Sequence, residues 1–135
     1  MKNLLIVLVL VLGASSINAQ GFINHSLTSI KQKMNSSNGY TLSEGTQNGR
    51  HYAIVQGMGM YVFFYFDRYQ VVDASVIWYD DVPMYNRVKA TFASDYKNIG
   101  HDTWISYLDA GSVTIKAHPA TPTEGPSFEF NWKVY

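Results

Sequence analysis

Met60-Tyr61-Val62-Phe63-Phe64-Tyr65-Phe66, then Asp67-Arg68-Tyr69-Gln70, then Val71-Val72-Asp73-Ala74-Ser75-Val76-Ile77-Trp78-Tyr79: this stretch decides the fold. Two runs dense in β-branched and aromatic residues, unbroken by glycine or proline, flank four polar turn residues. That is the pattern of an antiparallel hairpin. If Phe66 pairs with Val71, strand alternation places Tyr61, Phe63, Tyr65, Val72, Ala74, Val76 and Trp78 on one face. Met60, Val62, Phe64, Phe66, Val71 and Ile77 then share the other, joined by Tyr52 and Ile54 if the preceding hairpin is regular. The first set is the denser, and it is expected to form the core with Trp78 buried. The second leaves a partly apolar surface where one sheet face should meet water. Tyr52, Val62, Phe64 and Phe66 are therefore the candidate binding residues.

Working outward, residues 40–43 and 50–56 read as strands, bounded by Glu44-Gly45, Gln47-Asn48-Gly49 and Gly57-Met58-Gly59 turn signals. Upstream, Phe22, Ile23, Leu27, Ile30 and Met34 recur at near-helical spacing, predicting a helix over 24–35 capped by Asn24 or Ser26. Downstream, Asp81-Val82-Pro83 is a helix start, with Asp81 as cap and Pro83 in the first turn. Tyr85, Val88, Phe92 and Tyr96 form its apolar stripe, so Phe92 is expected to be buried. Residues 98–100 end this helix. Strands follow at 103–108, 112–118 and 128–134, the last alternating Phe128, Phe130, Trp132 and Val134 with Glu129, Asn131 and Lys133. Residues 118–126 hold three prolines and a glycine and read as an exposed loop. No internal repeat is visible. The order α-β-β-β-β-α-β-β-β predicts an α+β two-layer sandwich, an antiparallel sheet of six or seven strands with two helices.

The first residues carry a different signal. Lys2, the apolar run 4–12 and the small-residue exit Ile17-Asn18-Ala19 make the three parts of a signal peptide. The apolar run is shorter than the roughly 20 residues needed to span a bilayer. Cleavage after Ala19 is expected, leaving Gln20 to Tyr135 as one domain in the periplasm or outside the cell, with no stable membrane anchor.

Ten basic and ten acidic residues balance, and no basic cluster argues for a nucleic-acid partner. With no cysteine, the chain has no disulfide, thiolate metal site or cysteine nucleophile, and packing alone must stabilise it. His25, His51, His101 and His118 are scattered, and neither H-E-x-x-H nor G-x-S-x-G occurs, so neither metal nor cofactor is expected. Gly57-x-Gly59 leads into a strand and reads as a hairpin turn. Ten tyrosines, seven phenylalanines and three tryptophans are a large aromatic supply. They suit a core or a stacking surface for sugars.

The layout, carried by residues 61–67, 71–79 and the segment Tyr96-Lys97-Asn98-Ile99 leading to Trp104-Ile105-Ser106-Tyr107, resembles that of small exported bacterial proteins of unknown function. The resemblance implies no reaction and no catalytic residue. The expectation is an exported, non-enzymatic binding domain for a protein partner or a small apolar or sugar ligand. The alternatives are a small hydrolase or lyase in which Asp80, His51 and His101 converge, and a secreted enzyme inhibitor presenting the loop 119–126.

Overall fold

The computed structural model describes residues 22–35, 39–57 and 59–135. The expected signal peptide, residues 1–19, and its cleavage point after Ala19 lie outside them. The elements run α1 (Leu27–Asn35), β1 (Thr41–Gln47), β2 (Arg50–Gly57), β3 (Met60–Phe66), β4 (Val72–Tyr79), α2 (Val82–Asp95), β5 (Lys97–Gly100), β6 (Thr103–Tyr107), β7 (Gly111–His118) and β8 (Ser127–Val134). The fold is α+β, and these eight strands make one antiparallel sheet in the order β1-β2-β3-β4-β8-β7-β6-β5. A helix followed by a four-stranded meander thus occurs twice. The last strands of the two halves, β4 and β8, join antiparallel at the centre. The repetition is topological and leaves no period in the sequence.

Local chemistry sets the joints. Asn48 and Gly49 both have positive φ, 53° and 77°, as a two-residue turn of the right twist for a hairpin requires, and β1 therefore runs on to Gln47. In the turn from β3 to β4, one Asp67 carboxylate oxygen accepts from the Tyr69 and Val71 amides at 2.7 and 3.1 Å. Ser26 caps α1, its hydroxyl accepting from the Ser29 amide at 3.0 Å. The helix consequently starts later than the periodicity suggests. Residues 22–25 instead form a turn that drives Phe22 and Ile23 into the core and bonds to Val72. Asp81 caps α2 as expected, accepting from the Met84 amide at 3.2 Å.

The eighth strand, β5, escaped the sequence reading. Lys97-Asn98-Ile99-Gly100 is an edge strand exposed at all four positions, so it needs no apolar alternation.

The core lies on the face opposite to the one expected. Met60, Val62, Phe64 and Phe66 are buried, with Val72, Ile77 and Tyr79 beside them. Across the sheet, Ala53, Phe64, Ser75, Phe130, Ile115 and Trp104 lie in one cross-strand row, all buried. Both helices cover this side. Phe92 of α2 is fully buried, its ring 4.9 Å from that of Phe128 and 6.0 Å from that of Phe130, and Tyr85 stacks on Phe128 at 4.6 Å. In the other half Phe22 meets Phe64 edge-on at 5.5 Å, and Ile30 of α1 is fully buried. Tyr61, Phe63, Tyr65, Val76 and Trp78, expected as core, point the other way and keep solvent contact.

Two one-residue effects explain the regrouping. Gly57 pairs with Met60, so the β2–β3 loop has two residues instead of three, and every β2 side chain changes face: Tyr52 pairs with Tyr65 and Ile54 with Phe63. At the far end of β3, Tyr65 pairs with Ala74 and Phe66 with Val72, leaving Asp73 as the extra residue of a bulge that turns Val72 into the core.

Candidate functional site

The outer face of β2, β3 and β4 carries an aromatic platform. Tyr65, Phe63 and Tyr61 follow one another along β3, with Tyr52 from β2 at one end and Trp78 from β4 at the other. Tyr52 stacks on Phe63 with ring centroids 4.9 Å apart and planes 25° apart. Phe63 and Tyr65 lie 4.7 Å apart, and Tyr61 meets Trp78 edge-on at 5.6 Å. The Tyr52 ring crosses Gly45 of β1 so closely that any Cβ there would overlap it. At the Tyr65 end, the Arg50 guanidinium lies 5.1 Å from the ring centroid and pairs with Asp73 of the bulge.

The same face changes character at the seam between the halves. Val76 pairs with Glu129 and Glu129 with Lys116, while Ala74 continues into Asn131 and Thr114. The outer face is thus aromatic over β2 to β4 and polar where β8 and β7 carry Glu129, Asn131, Lys116 and Thr114.

At the Trp78 end the platform runs into a cleft of about 360 Å³. Its floor is the outer side of β4, β8 and β7, from Trp78 and Val76 to Ser127, Glu129 and His118. Its wall is the proline-rich loop, through Pro119, Thr121, Glu124 and Gly125. This loop holds its own shape. The Thr121 hydroxyl accepts from the Glu124 amide at 3.0 Å, the Thr121 amide donates to the Glu124 carbonyl at 2.8 Å, and the Tyr79 amide donates to the Pro126 carbonyl at 3.1 Å. His118 Nε2 stands 3.6 Å from a Glu129 carboxylate oxygen.

A second polar cluster sits on the helix side at the sheet's other end. His51 Nδ1 lies 2.6 Å from Gln70 Oε1, His51 Nε2 3.1 Å from Glu44, and Glu44 3.1 and 2.9 Å from His51 and Lys31 respectively. The Lys31 ammonium, chiefly by hydrogen bonding, holds the Glu44 carboxyl below its ordinary range. These contacts tie α1, β1, β2 and the β3–β4 turn together.

Of the four residues expected to form a binding surface, Val62, Phe64 and Phe66 lie in the core and only Tyr52 lies on the platform. Phe63, Tyr65, Tyr61 and Trp78, which the sequence reading assigned to the core, stand in their place. The signal that locates them is the Phe128/Phe130 alternation of β8, carried across the ladder to β4 and β3. The three dispersed residues of the hydrolase alternative do not meet. His51 is at the end of β2 near the β3–β4 turn, Asp80 follows the opposite end of β4, and His101 is in the β5–β6 turn at the far edge. Among the described residues no group of three or more His, Asp or Glu side chains is placed to hold a metal ion. Among them, too, no helix is long and apolar enough to cross a membrane.

Comparison of the chain with protein-family models, with curated proteins and with solved structures found no match.

Proposed function

We propose that this is an exported, non-enzymatic binding domain that engages a protein partner through the outer face of β2, β3 and β4. One observation carries the reading: Tyr52, Tyr61, Phe63, Tyr65 and Trp78 share a sheet face on the side away from both helices, and all five keep solvent contact. Tyrosine, tryptophan and arginine are the residues that dominate binding hot spots, because they offer large rigid surfaces with a polar tip. Arg50 at one end and the polar C-terminal half at the other supply the hydrophilic rim such a patch needs.

The test is crosslinking in the compartment where the protein resides, comparing the natural chain with a Phe63→Ser, Tyr65→Ser double variant of unchanged circular dichroism. The expected result is loss of the crosslinked species in the variant. An unchanged crosslink would remove the platform from consideration. Export is tested separately: N-terminal sequencing of the mature protein should begin at Gln20.

A secreted inhibitor is the second reading, favoured by the loop spanning 119–125, which is exposed throughout and braced by the Thr121 turn.

A further inference from the structure

We infer that the cleft beside Trp78 is a saccharide site, taking a neutral pyranose with one sugar face against the indole. The cleft shares Trp78 with the end of the platform and is otherwise lined by residues outside it.

The first support is shape. A concavity of about 360 Å³ falls within the roughly 300–1,000 Å³ range of small-ligand pockets. It is built on sheet and on a loop whose backbone is bonded internally and to β4. A pre-formed wall loses little ordering entropy when a ligand enters.

The second support is chemistry. Trp78 and Pro119 give the cleft an apolar side, while His118, Thr121, Glu124 and Glu129 give it a polar one. A purely apolar ligand would strand the two carboxylates, and an anion would be repelled by them. The Glu129 carboxylate stands 3.6 Å from His118 Nε2, with Lys116 opposite it in the strand register, and a cation is the competing ligand that the titration tests. A pyranose suits both sides. Its axial C–H bonds pack on the negative face of an indole, and its hydroxyls each donate and accept, matching a lining of mixed donors and acceptors.

The experiment follows the Trp78 indole and Gly125 amide resonances, and those of Tyr52 and Tyr65 on the platform, in the purified protein during titration with methyl β-glucopyranoside, N-acetylglucosamine and cellotetraose. Tetramethylammonium chloride serves as the cationic comparison. The expected result is a saturable shift of both resonances by at least one saccharide, weakened at least tenfold in Glu129→Ala and in Glu124→Ala, whose side chains are exposed enough to be removed without unfolding. A response to tetramethylammonium alone, or to none of the four probes, overturns the inference. A saccharide response confined to Tyr52 and Tyr65 overturns it as well, moving the sugar to the platform. The Phe63→Ser, Tyr65→Ser variant separates the two proposals: it should lose the protein crosslink and keep the Trp78 response.

Discussion

Phe63 and Phe64 are neighbours in the chain and are divided by the sheet. Phe64 is 1 % exposed and meets Phe22 edge-on beneath α1, whereas Phe63 stacks on Tyr52 on the outer face. The division separates what holds the fold together from what it offers to a partner.

The two residues should therefore respond oppositely to truncation. Phe64→Ala opens a cavity in a packed core and should cost about 3–5 kcal/mol. Phe63→Ala removes a partly exposed ring and its stacking on Tyr52, which should cost about 1 kcal/mol. Urea unfolding of both variants measures the difference. Equal costs would mean that the outer face is buried in the folded protein.

Phe92 anchors the second helix, in ring contact with Trp104, Phe128 and Phe130. Phe92→Ala should also lose about 3–5 kcal/mol. A melting temperature unchanged from that of the natural protein would show that α2 does not dock on this face.

Gly45 should tolerate no side chain without a response from the platform. A Cβ at this position overlaps the Tyr52 ring, so Gly45→Ala should turn that ring off Phe63. The expected cost is about 0.5–1.5 kcal/mol, the worth of one aromatic pair. The near-ultraviolet circular dichroism signal should change while the far-ultraviolet spectrum stays as it was.

Stability should begin to fall on mild acidification. Burial, reinforced by the Lys33 charge, lowers the His25 pKa below 6.5 in the folded protein. The folded state therefore takes up this proton less readily than the unfolded chain. The contribution of His25 is complete above pH 6.5 and is lost as pH falls from there through the folded value. Glu44, also lowered, acts in the same direction in a separate window, beginning below its ordinary value of 4.5. Urea midpoints measured between pH 7.5 and 5 should decline in the natural protein and hold flatter in His25→Gln.

Much of the architecture can be read from local sequence. The β3 run matches its observed bounds, Asp81 caps α2, and the stripe of Tyr85, Val88 and Phe92 faces the core. These follow from side-chain period, cap chemistry and turn residues, all properties of a few consecutive positions. Lys97–Gly100 was hidden because an exposed edge strand has no burial pattern to display.

Which face of the hairpin is inside was not a local property. Both faces of β3 and β4 are apolar, so alternation sorts their residues into two sets without ranking the sets. The ranking comes from β8, nearly fifty residues beyond β4, where Phe128 and Phe130 alternate with Glu129, Asn131 and Lys133. Cross-strand neighbours share a face. Once Ile77 pairs with Phe128 and Ser75 with Phe130, Val62 and Phe64 must go in with them. Phe63 and Val76 continue instead into Glu129 and Lys116, charged residues that cannot be buried without losing their hydration. The sequence by itself determined seven of the eight strands, both helices and the alternation along β3. The pairing of β4 with β8 decided which set became core and which became surface, because a sheet-wide face can be buried only if every strand's contribution to it can leave water.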